Sequence, residues 1–117
     1  MEERNMNERL RFDDLGDALD YLAKKGFRHE FHLSEGLVAH SSKKENYGKN
    51  QLYFCGYVQY TDGETDALHN IYAVETDTGF QGYIVAEHTG ADDNPVDDFV
   101  KSLKVNKNNN LYKTLMS

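Results

Sequence analysis

A chain of 117 residues with a formal net charge of −7 has room for one core rather than two, and its charge opposes the phosphate contacts on which nucleic-acid affinity rests. Hydrophobic side chains make up 38% of it, an ordinary globular share once glycine is added. No run approaches the roughly 18 apolar residues that cross a bilayer, so neither a nucleic-acid partner nor a membrane is expected.

In chain order, residues 1–11 alternate Glu, Arg and Asn without an apolar stretch, which predicts a flexible N-terminus and no secretion signal. Asp13 or Asp14 can cap a helix whose apolar positions Leu15, Ala18, Leu19 and Leu22 fall on one face. Lys24 and Lys25 suit its negative end, and Gly26 suits the left-handed turn that stops it. Residues 27–33 and 36–40 read as two short strands or irregular chain, and residues 41–51, rich in Ser, Lys, Asn and Gly, as a surface loop.

Residues 52–60 carry Tyr, Phe and Val before Thr61-Asp62-Gly63, the pattern of a strand followed by a turn. Residues 71–76 and 80–88 flank Asp77-Thr78-Gly79, where a type I turn with a left-handed glycine predicts a bulged hairpin. Asn94 then caps a second helix, with Pro95 in its first position and Asp97 and Asp98 in its positive first turn. Val96, Phe99, Val100 and Leu103 form its apolar face. Residues 104–110 are polar and Asn-rich, and the apolar stretch 111–116 either docks or dangles.

These elements predict an α+β domain over residues 12–104: an N-terminal helix, an antiparallel meander of three to five strands, and a C-terminal helix, both helices on one sheet face. Residues 105–117 are expected to be a polar tail. Four lysines and no acid lie in residues 101–117, a solubilising end or, alternatively, a surface for head-to-tail association. In the strand at 52–60, Leu52, Phe54 and Val58 alternate with Tyr53, Cys55 and Tyr57, so both sides are apolar. Either a partner covers the face assigned to Tyr53 and Tyr57, or a segment of the same chain folds over it, from Leu111, Tyr112, Leu115 and Met116 or from residues 29–40.

The stretch at residues 15–27, the run Phe31-His32-Leu33, residues 53–57, Asn70-Ile71-Tyr72-Ala73-Val74 and Gly82-Tyr83-Ile84-Val85 together resemble a family of short bacterial proteins. Many of these carry the label "phosphoribosylpyrophosphate synthetase". Synthetases of that name resemble two-domain α/β enzymes in which paired acids and small residues form a pyrophosphate loop. Here Asp92-Asp93 leads into Asn94-Pro95, an order that caps a helix. The resemblance covers residues 12–104 and implies a fold but no catalytic residue.

His29, Glu30 and His32, with His40, His69 and His88, have the donor types of a metal site. On a strand, however, His29 and His32 face opposite ways, and the expectation is structural histidines and no metal. Cys55, the one cysteine, makes no intrachain disulfide, which fits a reducing, cytoplasmic location. Between Phe54 and Gly56 it reads as a buried hydrophobe rather than a nucleophile. Ser34, Ser41 and Ser42 lie in no nucleophile elbow. Asp62, Glu64 and Asp66 alternate as calcium ligands do, but the rest of a calcium loop is missing.

Of the eight tyrosines, Tyr53, Tyr57, Tyr72 and Tyr83 fall on central strands. Tyrosine suits protein interfaces, since it buries a large ring while its hydroxyl stays bonded. The chain is therefore expected to be a non-catalytic binding or interaction domain without a cofactor. Its expected partner is another protein or a second copy, met through those four tyrosines. The alternative is a small-ligand or metal-binding protein, or an enzyme, with a pocket using His29, His32, His40 and His88.

Overall fold

A computed structural model describes residues 11–34, 37–40, 46–64, 67–86, 95–109 and 111–113. Helix α1 spans Leu15–Lys24; the carboxylate of its cap, Asp14, accepts a 2.8 Å hydrogen bond from the backbone N–H of Asp17, satisfying a donor the first turn would leave unpaired. At its other end Phe27 N–H donates to the Leu22 carbonyl and Gly26 N–H to that of Ala23, with Gly26 at φ 97°. This is a Schellman closure, and its usual apolar clasp is formed by the fully buried Leu22 and Phe27.

The strands are β1 (Arg11–Phe12), β2 (His29–Ser34), β3 (Leu37–His40), β4 (Asn46–Tyr47), β5 (Leu52–Thr61), β6 (Leu68–Thr76), β7 (Gln81–Ala86) and β8 (Lys104–Val105), with a 3-10 turn at Lys49–Gln51 and helix α2 at Pro95–Lys101. They make one sheet in the order β1-β5-β6-β7-β2-β3-β4, with β8 also on β5. The centre is the expected meander: β5, β6 and β7 pair antiparallel. The hairpin at 77–79 closes as its residues dictate, with Gly79 at φ 99° and Thr76 N–H bonded to the Phe80 carbonyl.

The whole, however, is a mixed sheet and not a simple meander. β1 and β8 run parallel to β5, and β2 runs parallel to β7. A parallel neighbour requires a crossover, and each helix supplies one. α1 links β1, on the outer edge of β5, to β2 beside β7; α2 links β7 back to β8, on the same outer edge of β5.

The expectation that both helices share a face is corrected by the two halves of the core. On one face Ala18, Leu22 and Phe27 pack on Val58, Tyr60, Ile71 and Ala73. On the other, Val100 and Leu103 pack with Leu52, Val74, Ile84 and Phe31. Ala73 and Val74 are consecutive on β6, so these clusters lie on opposite faces. Two crossovers that travel in opposite directions over opposite faces wind with the same hand, which the twist of β-strands favours. Each fully buried Leu, Ile, Val or Phe in these clusters contributes roughly 1.5–3 kcal/mol of transfer energy.

The segment from β2 to β4 curls over the α2 face. β2 pairs with β7 only through His29 and Glu30, then with β3 from Phe31 onward. Residues 48–51 alone join β4 to β5, a reach of about 17 Å, whereas the five flat strand spacings between them would need about 24 Å. Folding over, the arm brings Tyr47 edge-on to Phe31 at 6.0 Å between ring centres. Of the segment expected as a surface loop, residues 46–51 thus hold a strand and a turn, and Tyr47 is buried; residues 41–45 lie outside the described part, as does the expected helix cap Asn94. Leu111, in the segment expected as a polar tail, is 2% exposed and belongs to the α1-side core.

Candidate functional site

β5 does not alternate regularly. Phe54 stands opposite Val74 and Gly56 opposite Ala73, so Cys55 is an extra residue, and Gly56 takes φ 129°. This β-bulge shifts the facing of everything after it. Tyr53, opposite Glu75, lies on the α1 face, and Tyr57, opposite Tyr72, lies on the α2 face. Tyr83, opposite Ala73, packs at the margin of the α1-side core. The four tyrosines singled out from the sequence thus divide two and two, and Tyr53 and Tyr57 do not share a face.

What the bulge unites is Phe54, Tyr57 and Tyr72. The Tyr57 and Tyr72 rings lie 5.8 Å apart between centres and the Phe54 and Tyr72 rings 6.3 Å apart, within the range of favourable aromatic contacts. Along the same face runs a chain of polar side chains. Gln59 Nε2 donates to Asn70 Oδ1 at 2.9 Å, Asn70 Nδ2 to Tyr72 Oη at 3.2 Å, and Tyr72 Oη to Asp97 Oδ1 at 2.5 Å.

The direction of this relay is set from its acidic end. An ionised carboxylate only accepts, so Tyr72 must donate its proton to Asp97; its oxygen is then left to accept from the Asn70 amide. That in turn aims the Asn70 carbonyl at Gln59, whose amide nitrogen must donate. Burial, first, and the hydrogen bond and charge of Asp97, next, hold the Tyr72 phenol above its ordinary value near 10: a second negative charge beside the carboxylate is disfavoured.

These groups line a half-open cavity of about 400 Å³. Its floor is Phe54, Tyr57 and Tyr72 on the sheet; its wall is Val100, Lys101 and Leu103 from α2 and the turn after it, with Val105 of β8 at the mouth. The site is framed by β5, β6, α2 and β8 because α2 continues directly into β8, which pairs with Tyr53 and Phe54 at the edge of β5.

The histidines do not converge. His29 meets Phe80 edge-on at 5.0 Å, and His32 stands beside Glu30 at 3.5 Å, exposed on the other face. His40 pairs with Phe31 through the backbone, and His88 lies outside the described residues. His69 is buried against Tyr60, with Nε2 4.0 Å from Asp62. Asp62 also accepts from the Glu64 N–H, the job of a turn residue; Asp66 is outside the described part. Among the described residues no three of His, Cys, Asp and Glu are grouped to hold a metal ion, and no helix is long and apolar enough to cross a membrane.

Cys55 is fully buried, and burial together with the Glu75 carboxylate pushes its thiol up to about 12. It is expected to resist a thiol reagent such as iodoacetamide at pH 8 in the native protein and to react at once in denaturant. Rapid native labelling, read by mass, would contradict the buried bulge.

Sequence reasoning missed Gln59, Asn70 and Lys101, and it read Asp97 only as a helix-dipole residue. Polar residues at alternate positions on β5 and β6, facing apolar neighbours, were the available signal. Compared with family models, curated proteins and solved structures, the chain matches none of them.

Proposed function

We propose that this chain is a non-catalytic binding domain whose pocket between the β5–β6 face and α2 takes a small aromatic molecule. The observation that carries this reading is an aromatic floor bordered by a polar relay of fixed direction. Binding sites commonly combine apolar walls with a few placed polar groups in 300–1,000 Å³, and about 400 Å³ falls within that range. Non-catalytic action is favoured because the Tyr72 proton is engaged by Asp97 and the one thiol is buried and held neutral.

Titration of the ¹⁵N-labelled protein with indole and p-cresol tests it. Amide shifts are expected to centre on residues 57, 59, 70, 72 and 101, and Tyr57→Ala should weaken them at least tenfold while the rest of the spectrum stays native. Shifts scattered over the surface, or none, would remove the reading.

A partner protein is the second occupant to consider, favoured by Val105, an apolar side chain 43% exposed at the mouth. In that case the native mass of the protein purified from its own cells would exceed one chain, and Tyr57→Ala or Val105→Asp would return it to one.

A further inference from the structure

The relay ends in an unused edge, and that edge has a definite chemistry. Resting on the reading of the pocket as a binding site, we propose that its ligand is a neutral, planar heteroaromatic ring carrying a hydrogen-bond donor beside an acceptor, the edge that a free nucleobase presents.

The Gln59 amide has one carbonyl oxygen and two N–H donors. One N–H is spent on Asn70; among the described residues neither the other N–H nor Oε1 has a hydrogen-bond partner. The polarity imposed from Asp97 through Tyr72 and Asn70 fixes which end of the Gln59 amide is which. An acceptor and a donor therefore stand side by side, half-buried, at the border of the pocket. A carboxamide held in this way pairs bidentately with a ring nitrogen next to an amino or carbonyl group, the geometry by which Asn and Gln read adenine.

The surroundings suit such a ring. The Tyr57 and Tyr72 rings provide π-faces for stacking. Asp97 and Lys101, four residues apart on α2 and both lining the pocket, bring opposite charges to neighbouring turns, so the site has no net charge to match. With a chain charge of −7, a phosphorylated form of the same ligand would be opposed.

The test compares adenine, cytosine and uracil with indole, which has a similar planar surface and one donor but lacks the paired acceptor. Each is titrated into the full chain and followed by calorimetry and by the amide shifts of residues 57, 59 and 72. At least one base is expected to bind tenfold or more tighter than indole, and Gln59→Leu should lower that base to the level of indole while leaving indole unchanged. The selectivity of the unaltered protein needs no variant to be read. Bases that bind no better than indole would overturn the ligand class and leave the pocket standing; if indole also fails to move these residues, the binding site itself is overturned and the proposal with it.

Discussion

Replacing Gly82 with alanine is expected to abolish the native fold or to cost it at least about 3 kcal/mol, the upper range for forcing atoms into a packed core. A Cβ at this position would collide with the backbone carbonyl of His29 and with the ring of Phe31. The carbonyl belongs to the strand paired with β7 and cannot swing aside as a side-chain tip does. Phe31, 1% exposed, is the residue at which β2 leaves β7 to pair with β3. Its ring lies across Gly82 as the arm folds over the sheet. A side chain at 82 would therefore push the arm off the core and not merely crowd it. Gly63→Ala is the control, since nothing lies within 4 Å of its Cβ position; its unfolding free energy from urea titration should stay within about 0.5 kcal/mol of the parent. A Gly82→Ala protein as stable as that control would show that the arm does not cross β7 here.

Tyr72→Phe has the second large effect, on stability and on its pH dependence together. It deletes the donor to Asp97 and the acceptor for Asn70. A hydrogen bond to a charged group contributes about 1.5–3 kcal/mol, and the lower end applies to this half-exposed pair. The folded protein holds the Tyr72 proton above the ordinary tyrosine range, so the unfolded chain releases it first as pH rises past about 10. The stabilisation due to Tyr72 is therefore complete below about pH 10 and is lost at higher pH. The difference in unfolding free energy between parent and Tyr72→Phe should be constant from pH 7 to 9 and shrink above 10. Cys55, raised from 9 to about 12, contributes its own alkaline loss from about pH 9 upward in both proteins and cancels from the comparison. A difference independent of pH would mean that the folded protein holds the phenol proton neither by burial nor through Asp97.

Local chemistry made much of the framework readable. Asp14 and Gly26 bound α1, Asp77-Thr78-Gly79 makes the central hairpin, and Pro95 opens α2, because caps and turns depend on residues only a few positions apart. The two-residue strands β1 and β8 carry no periodicity to read; they exist because crossovers deliver them to an edge. The bulge was hidden for a different reason. Tyr53, Cys55 and Tyr57 alternate as a regular strand would, and only the fit of Cys55 into the α1-side core shows that one position is extra. With Tyr57 turned to the other face, the pairing with Tyr72 follows, and so does the relay. Gln59 and Asn70 meet only through the β5–β6 register, while Asp97 already had a local explanation in the helix dipole, which concealed its bond to Tyr72.

The position of β1 and β8 on a single strand has a further consequence for solubility. β5 is ten residues long and rich in aromatics, and such a strand with a bare edge is a template for pairing with other molecules. Here β1 occupies the edge opposite Gln59 and Tyr60, and β8 occupies it opposite Tyr53 and Phe54. The two strands act as guards at either end. A chain ending at Leu103 would lose one of them, along with Leu111 from the core, and should aggregate through β5 within hours at micromolar concentration. Its particle size in light scattering would rise, the opposite of what the loss of a lysine-rich assembly surface would produce.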